Sequence, residues 1–191
     1  MTRIEYLLPL VSVLIGLAMA DLVISLHRLL RASDRVRWHW IPLHWAAVTF
    51  LILLAYWWSF YDVAQAAVWN NLFAFGSHIA LLIILFLVAA AALPDRTDEG
   101  EVNLLEYYLG QRRYFFGLYA LYFSYSLFDV WLRTGTLWRP INWLVLLDIA
   151  VLVLLAWTAR VWVHALVSIA VAVSTILVIA QYYARLPHLV P

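Results

Sequence analysis

Two carboxylates stand inside long apolar runs. Asp21 sits in LAMADLVISLHRLL (residues 17–30) and Asp148 in NWLVLLDIAVLVLLAW (residues 142–157). A carboxylate in hydrocarbon costs about 2.5–3.5 kcal/mol on insertion scales, so it pairs across helices, meets water or holds a proton. Acids of this kind suit proton transfer within a membrane. Other titratable groups accompany them at different depths. At 1.5 Å per helical residue, Asp21 and Asp148 lie roughly 13 and 16 Å from one side. His78 and Asp129 lie roughly 22 Å from it, and His27, His44 and His164 lie within about two turns of it. A ladder of protonatable side chains at three levels is the chemistry that this spacing suggests.

Composition removes other chemistries. All 12 basic residues are Arg, and neither Lys nor Cys occurs. Schiff-base, thiolate, iron–sulfur and Cys-ligated zinc chemistry are therefore excluded. Three His at one depth are candidate ligands for a metal or haem, but no two have an i, i+4 spacing on one helix. No phosphate loop or catalytic motif is present, and the net charge of +1 gives no reason to expect nucleic acid. No cofactor or resident metal is expected, and the chain reads as something other than an enzyme.

The elements that must carry these residues are membrane helices. The chain is 66% hydrophobic over 191 residues, with a mean hydropathy of +0.89. A soluble domain is roughly half apolar. The pattern predicts an all-α polytopic membrane protein, six helices in a compact bundle, with residues 1–191 as one integral membrane domain. The spans are Ile4–Leu30, Trp40–Tyr61, Ala64–Leu93, Tyr114–Leu132, Pro140–Ala159 and Val161–Arg185. Pro94, the Arg133-Thr-Gly-Thr turn and Pro187 supply stops. Thr158-Ala-Arg160 carries no Gly or Pro, yet one helix from Pro140 to Arg185 would run roughly 70 Å, so the chain must turn there. Trp40, Trp45, Trp57, Trp58, Trp143, Trp157 and Trp162 read as interfacial belts.

Arginine sets the orientation. Loops 1–2, 3–4 and 5–6 carry Arg28, Arg31, Arg35, Arg37, Arg96, Arg112, Arg113 and Arg160; the other side carries only Arg3, Arg133, Arg139 and Arg185. The positive-inside rule puts those loops in the cytoplasm and both termini outside the cell inner membrane. Ala18-Met19-Ala20 resembles a peptidase site, but cleavage there would export the densest Arg cluster, so Asp21 is expected inside an uncleaved helix.

Polar faces repeat at helical spacing. Tyr119, Tyr122, Ser126, Asp129 and Arg133 share one face, as do His164, Ser168, Thr175 and Tyr182; Asp21, Ser25 and Arg28 form another, and Asn71 with His78 a fourth. Such faces should point into the bundle. Asp129–Arg133 also reads as a plain i, i+4 ion pair, and the serines and threonines as helix-to-helix hydrogen bonders. Asn103–Arg113 reads as a short interfacial helix with Asn103 as its cap; Leu104, Leu105, Tyr108 and Leu109 lie on lipid while Arg112 and Arg113 meet headgroups. The acidic run Asp95–Glu101 reads as a solvated loop. Asp21 and Asp129 each precede a loop and a Trp- and Pro-containing helix start, which suggests a 3+3 inverted repeat.

Three functions fit these residues. The first is a proton-linked transporter or channel using Asp21, Asp148, Asp129, His78, His27, His44 and His164. The second is a non-catalytic membrane subunit, assembly or lipid-binding protein, with Ser12, Gly16 and Ala20 as a small-residue face for a partner or a second copy. The third is a His-ligated metal or haem enzyme.

Overall fold

The computed structural model describes residues 3–64, 72–95, 100–136 and 140–185. Asn71, Arg96, Trp138, Arg139 and Pro187 lie outside the described residues, as do the side chains of Arg3, Asp62, Arg133, Tyr182 and Arg185. Among the described residues the chain is helical: α1 (Arg3–Arg31), α2 (Trp40–Ala64), α3 (Leu72–Ala92), α4 (Leu104–Thr134), α5 (Pro140–Trp157) and α6 (Val161–Arg185). Three helices contain stretches long and apolar enough to cross a membrane: Leu8–Arg31, Trp40–Trp58 and Phe75–Ala92. Shorter apolar stretches cover Trp143–Trp157 and Val161–Ile176. Two compact units are present, Met1–Trp157 and Thr158–Pro191.

In the first unit, α1 runs unbroken through Ala18–Asp21. It buries Val11, Ile15, Ala18, Leu22, Ser25 and Leu29, each three or four residues after the last, which is one stripe of the helix. Val11, Ile15 and Ala18 pack with Leu53 of α2 and Leu82, Leu85 and Ala89 of α3, and Tyr122 of α4 leans on this core. Helix α4 also packs along α3 and, most extensively, α5.

An aromatic cluster joins α2 to α4. Trp45 is not the belt residue that its position in the sequence suggests. It is 3% exposed, with ring centroids of Phe116, Tyr119 and Phe115 at 4.9, 5.9 and 6.2 Å. Trp40, Trp57, Trp58, Trp143, Trp157 and Trp162 are exposed, as interfacial anchors would be.

The stretch from Asn103 to Arg113 is not a separate interfacial helix. It forms the first three turns of α4, which continues without a break for 31 residues. The interval contains no Pro, and Gly110 and Gly117 each weaken a helix by only about 1 kcal/mol. Leu104 and Tyr108 are buried against protein instead of lying on lipid. Asn103 is the cap: its Oδ1 accepts from the N–H groups of Leu105 (3.2 Å) and Glu106 (3.3 Å). At the other end Gly135, at φ 67°, closes α4 by donating its N–H to the Trp131 carbonyl at 2.8 Å.

Two loops meet in a way that the sequence does not announce. Residues Val36–Arg37 (β1) pair in parallel with Val102–Asn103 (β2), Val36 opposite Val102. Arg37 and Glu101 form an ion pair of 2.9 Å beside them. Both side chains are 70% exposed, so the pair itself adds little.

The second unit begins at the turn without Gly or Pro. Thr158 makes it: its Oγ1 accepts from the Arg160 N–H at 3.3 Å. The His164 Nε2 lies 3.1 Å from the Thr158 carbonyl, and the Arg160 carbonyl accepts from the N–H groups of Val163 and His164. A threonine turn plus one histidine thus replaces a helix breaker.

Candidate functional site

The polar residues of α1 converge on a group in the loop after α3. The Ser25 Oγ donates to Asp95 Oδ1 at 2.7 Å, and Arg28 Nη1 donates to the Asp95 carbonyl at 3.3 Å. Ser25 is 3% exposed, since it occupies the buried stripe of α1. Asp21, half-buried one turn deeper, has Asp95 and Arg28 as its charged neighbours. Asp95 is thus held by α1 while remaining exposed, as are Gly100 and Glu101 at the other end of this run. Pro94, buried directly after α3, turns the chain so that Asp95 returns over the end of α1.

Tyr107 closes this corner. Its hydroxyl is within 3.2 Å of the Leu93 carbonyl and 3.4 Å of that of Ala91, two of the acceptors left free where α3 ends. Tyr107 lies in the three turns of α4 ahead of the span expected from Tyr114. Burial, with the Asp95 charge adding to it, pushes its phenol up to about 12. The proton is held more tightly in the folded chain than at the ordinary value of 10.0. This stabilisation is full below pH 10 and is lost as pH rises towards about 12. Comparison of wild type with Tyr107→Phe in an alkaline unfolding series should show this part of the loss only in the wild type. A recess of about 370 Å3 opens beside it, walled by Pro94, Glu101, Glu106 and Tyr107.

The remaining titratable residues are scattered. Asp148 is exposed on α5, and no charged neighbour of Asp21 is Asp148. Asp129 is half-buried and His78 is 9% exposed, and both make interactions of their own. His27 is exposed. His44 is half-buried between Trp40 and Trp45, at ring centroids of 6.4 and 5.9 Å, and its Nε2 has no hydrogen-bond partner among the described residues. His164 is fully buried and holds the turn before α6. Among the described residues no three His, Asp or Glu lie close enough together to hold a metal ion.

No known protein family, curated protein or solved structure matches this chain.

The inward stripe of α4 is used structurally at its first position. The Tyr119 hydroxyl lies 2.6 Å from Thr49 Oγ1, which itself donates to the Trp45 carbonyl at 2.8 Å; Tyr119 is therefore the donor to Thr49. Tyr122 and Ser126 are half-buried. On α6, Ser168 is buried and Thr175 half-buried, but Thr175 and Ser174 both donate to the Val171 carbonyl of their own helix instead of bridging to another. Arg112 is half-buried with Nη1 on the Leu109 carbonyl at 2.6 Å. The Arg113 guanidinium lies over the Trp157 ring at 5.5 Å. In the small-residue face, Gly16 and Ala20 are exposed and Ser12 half-buried.

Sequence reasoning found Asp21, Ser25 and Arg28 on one face but missed Asp95 and Tyr107. The available signal was the position of Asp95 directly after Pro94, where a turning chain puts a carboxylate at a helix end.

Proposed function

We propose that the chain is a six-span inner-membrane protein with both termini outside, and that it works as a non-catalytic subunit which packs on a partner within the bilayer. The observation that carries this reading is the exposure of Asp148 in the middle of α5. An acid facing hydrocarbon at that depth is costly, and cover by another protein removes the cost. Helix α5, 18 residues and roughly 27 Å long, is at the lower limit for a bilayer core of about 30 Å, and α4 and α6 are longer. Arg112 and Arg113 would sit at the headgroups of the cytoplasmic leaflet. The inverted relation of the two three-helix halves belongs to the same proposal.

Proton-linked transport is the second reading, and Asp95, Ser25 and Asp21 favour it. An acid, a hydroxyl and a second acid one turn deeper make a short entry for protons at the end of α1. One experiment separates the two. Reconstituted alone in liposomes, the purified protein is expected to leave the proton leak at the protein-free rate, measured with an internal pH dye. A proton flux that Asp21→Asn abolishes would replace the subunit reading with the transport reading.

A further inference from the structure

We propose that the outer part of α5 around Asp148 is the docking site for one transmembrane helix of a different protein, and that this helix brings a Lys or Arg to the level of Asp148. The proposal rests on the subunit reading and specifies the chemistry of the partner. Helix α5 buries Leu152 and Leu155, and Asp148 precedes them by four and seven residues, on the same stripe. Asp148 is exposed, as is Leu144 one turn further out at 57%, whereas Val145 and Ile149 on either side of Asp148 are half-buried. Among the described residues of its own unit, the side of α5 that carries Asp148 and Leu144 is left uncovered and can take another helix. Leucines alone on that side would suit lipid. Asp148 does not, and its helical neighbours Leu144, Val145, Val151 and Leu152 offer it no donor.

Charge complementarity then fixes the occupant. An ionised carboxylate in hydrocarbon is matched by a cation at the same depth. This chain has none to give. All its basic residues are Arg, and by the sequence each lies in a loop or within about two turns of a span end. A second copy docked face to face would set one Asp148 against the other, two like charges in low dielectric. A second copy docked in another register would still present no mid-span cation. The helix that fits is therefore one from another protein, apolar along its length, with a single basic residue near its centre.

The full chain in lipid vesicles provides the test. A single Cys placed at Leu147, which is 60% exposed, carries a donor dye on this cysteine-free background. The probes are three acceptor-labelled Leu/Ala transmembrane peptides that differ only in a central Lys, Gln or Leu. Energy transfer should report binding of the Lys peptide about tenfold tighter than the Leu peptide. Asp148→Asn should remove that preference, whereas Asp129→Asn should keep it. Equal binding of the three peptides, or a Lys preference that survives Asp148→Asn, overturns the ion pair. Self-association of the dye-labelled chain that Asp148→Asn abolishes overturns it in favour of a second copy. These outcomes are distinct from failure of the subunit reading, which shows as proton flux by the protein alone.

Discussion

Trp45→Ala is expected to destabilise the protein by about 3–5 kcal/mol, as large-to-small changes of a buried aromatic do. Trp45 is the ring shared by Phe115, Phe116, Tyr119 and His44, with centroids between 4.9 and 6.2 Å. Its loss empties the junction of α2 and α4. In a bilayer the transfer part of the penalty is small, because lipid is as apolar as the core. The cavity and the lost ring contacts remain, so the lower half of the range is expected. Tyr119→Phe is the comparison. It removes a hydroxyl that donates to Thr49, but Thr49 keeps the Trp45 carbonyl, so no buried donor is stranded and the cost should be near 1 kcal/mol. Unfolding in mixed micelles at increasing denaturing detergent measures both. Similar midpoints for the two variants would show that the cluster does not hold α2 to α4.

A cysteine at Ser33 is expected to react with a membrane-impermeant maleimide from the cytoplasmic side only, and one at Thr136 from the outside only. Ser33 opens the exposed 3-10 turn Ser33–Arg35 that follows α1, amid Arg28, Arg31, Arg35 and Arg37. Moving that cluster across a membrane is opposed by the positive-inside bias, so the contrast should be close to all-or-none. Thr136 follows the Gly135 cap, three helices' worth of chain later if each crosses once. Labelling of Ser33→Cys from outside would invert the orientation. Labelling of both positions from one side would mean that the number of crossings between them is even.

Much of the architecture was legible because it is written locally. The helices declare themselves by long apolar runs, and three of those runs are long enough to cross a membrane. Asn103 and Gly135 act as the caps that their types predict. The turn at Thr158 was legible from length alone; its mechanism, Thr158 accepting from Arg160 and His164 reaching back, uses no breaker residue and so leaves no compositional trace. The candidate site was less legible. Rise per residue gives the depth of Asp21 and Asp148, but not which helix stands beside which, and that decides whether two residues at one level meet. Ser25 and Asp95 are 70 residues apart, and the strands β1 and β2 are two residues each, too short to show a period. The placement of Trp45 misled for a related reason. A tryptophan near a helix end suits the interface and a junction between helices equally, and only its neighbours on α4 distinguish the two.

The ladder between Val36 and Val102, with Ser25 held by Asp95, also orders events in time. The loop that follows α1 leaves the ribosome well before its binding partner is made. At about 5–20 residues per second, the 70 residues between Ser25 and Asp95 take roughly 4–14 s to synthesise. If α1 and α2 insert as proposed, during that interval they do so with Ser25 and Arg28 unsatisfied by Asp95, and the first helical pair is locked only after α3 has followed. Stalling synthesis before Asp95 should therefore leave an inserted intermediate whose first loop is open to protease, and release of the stall should close it.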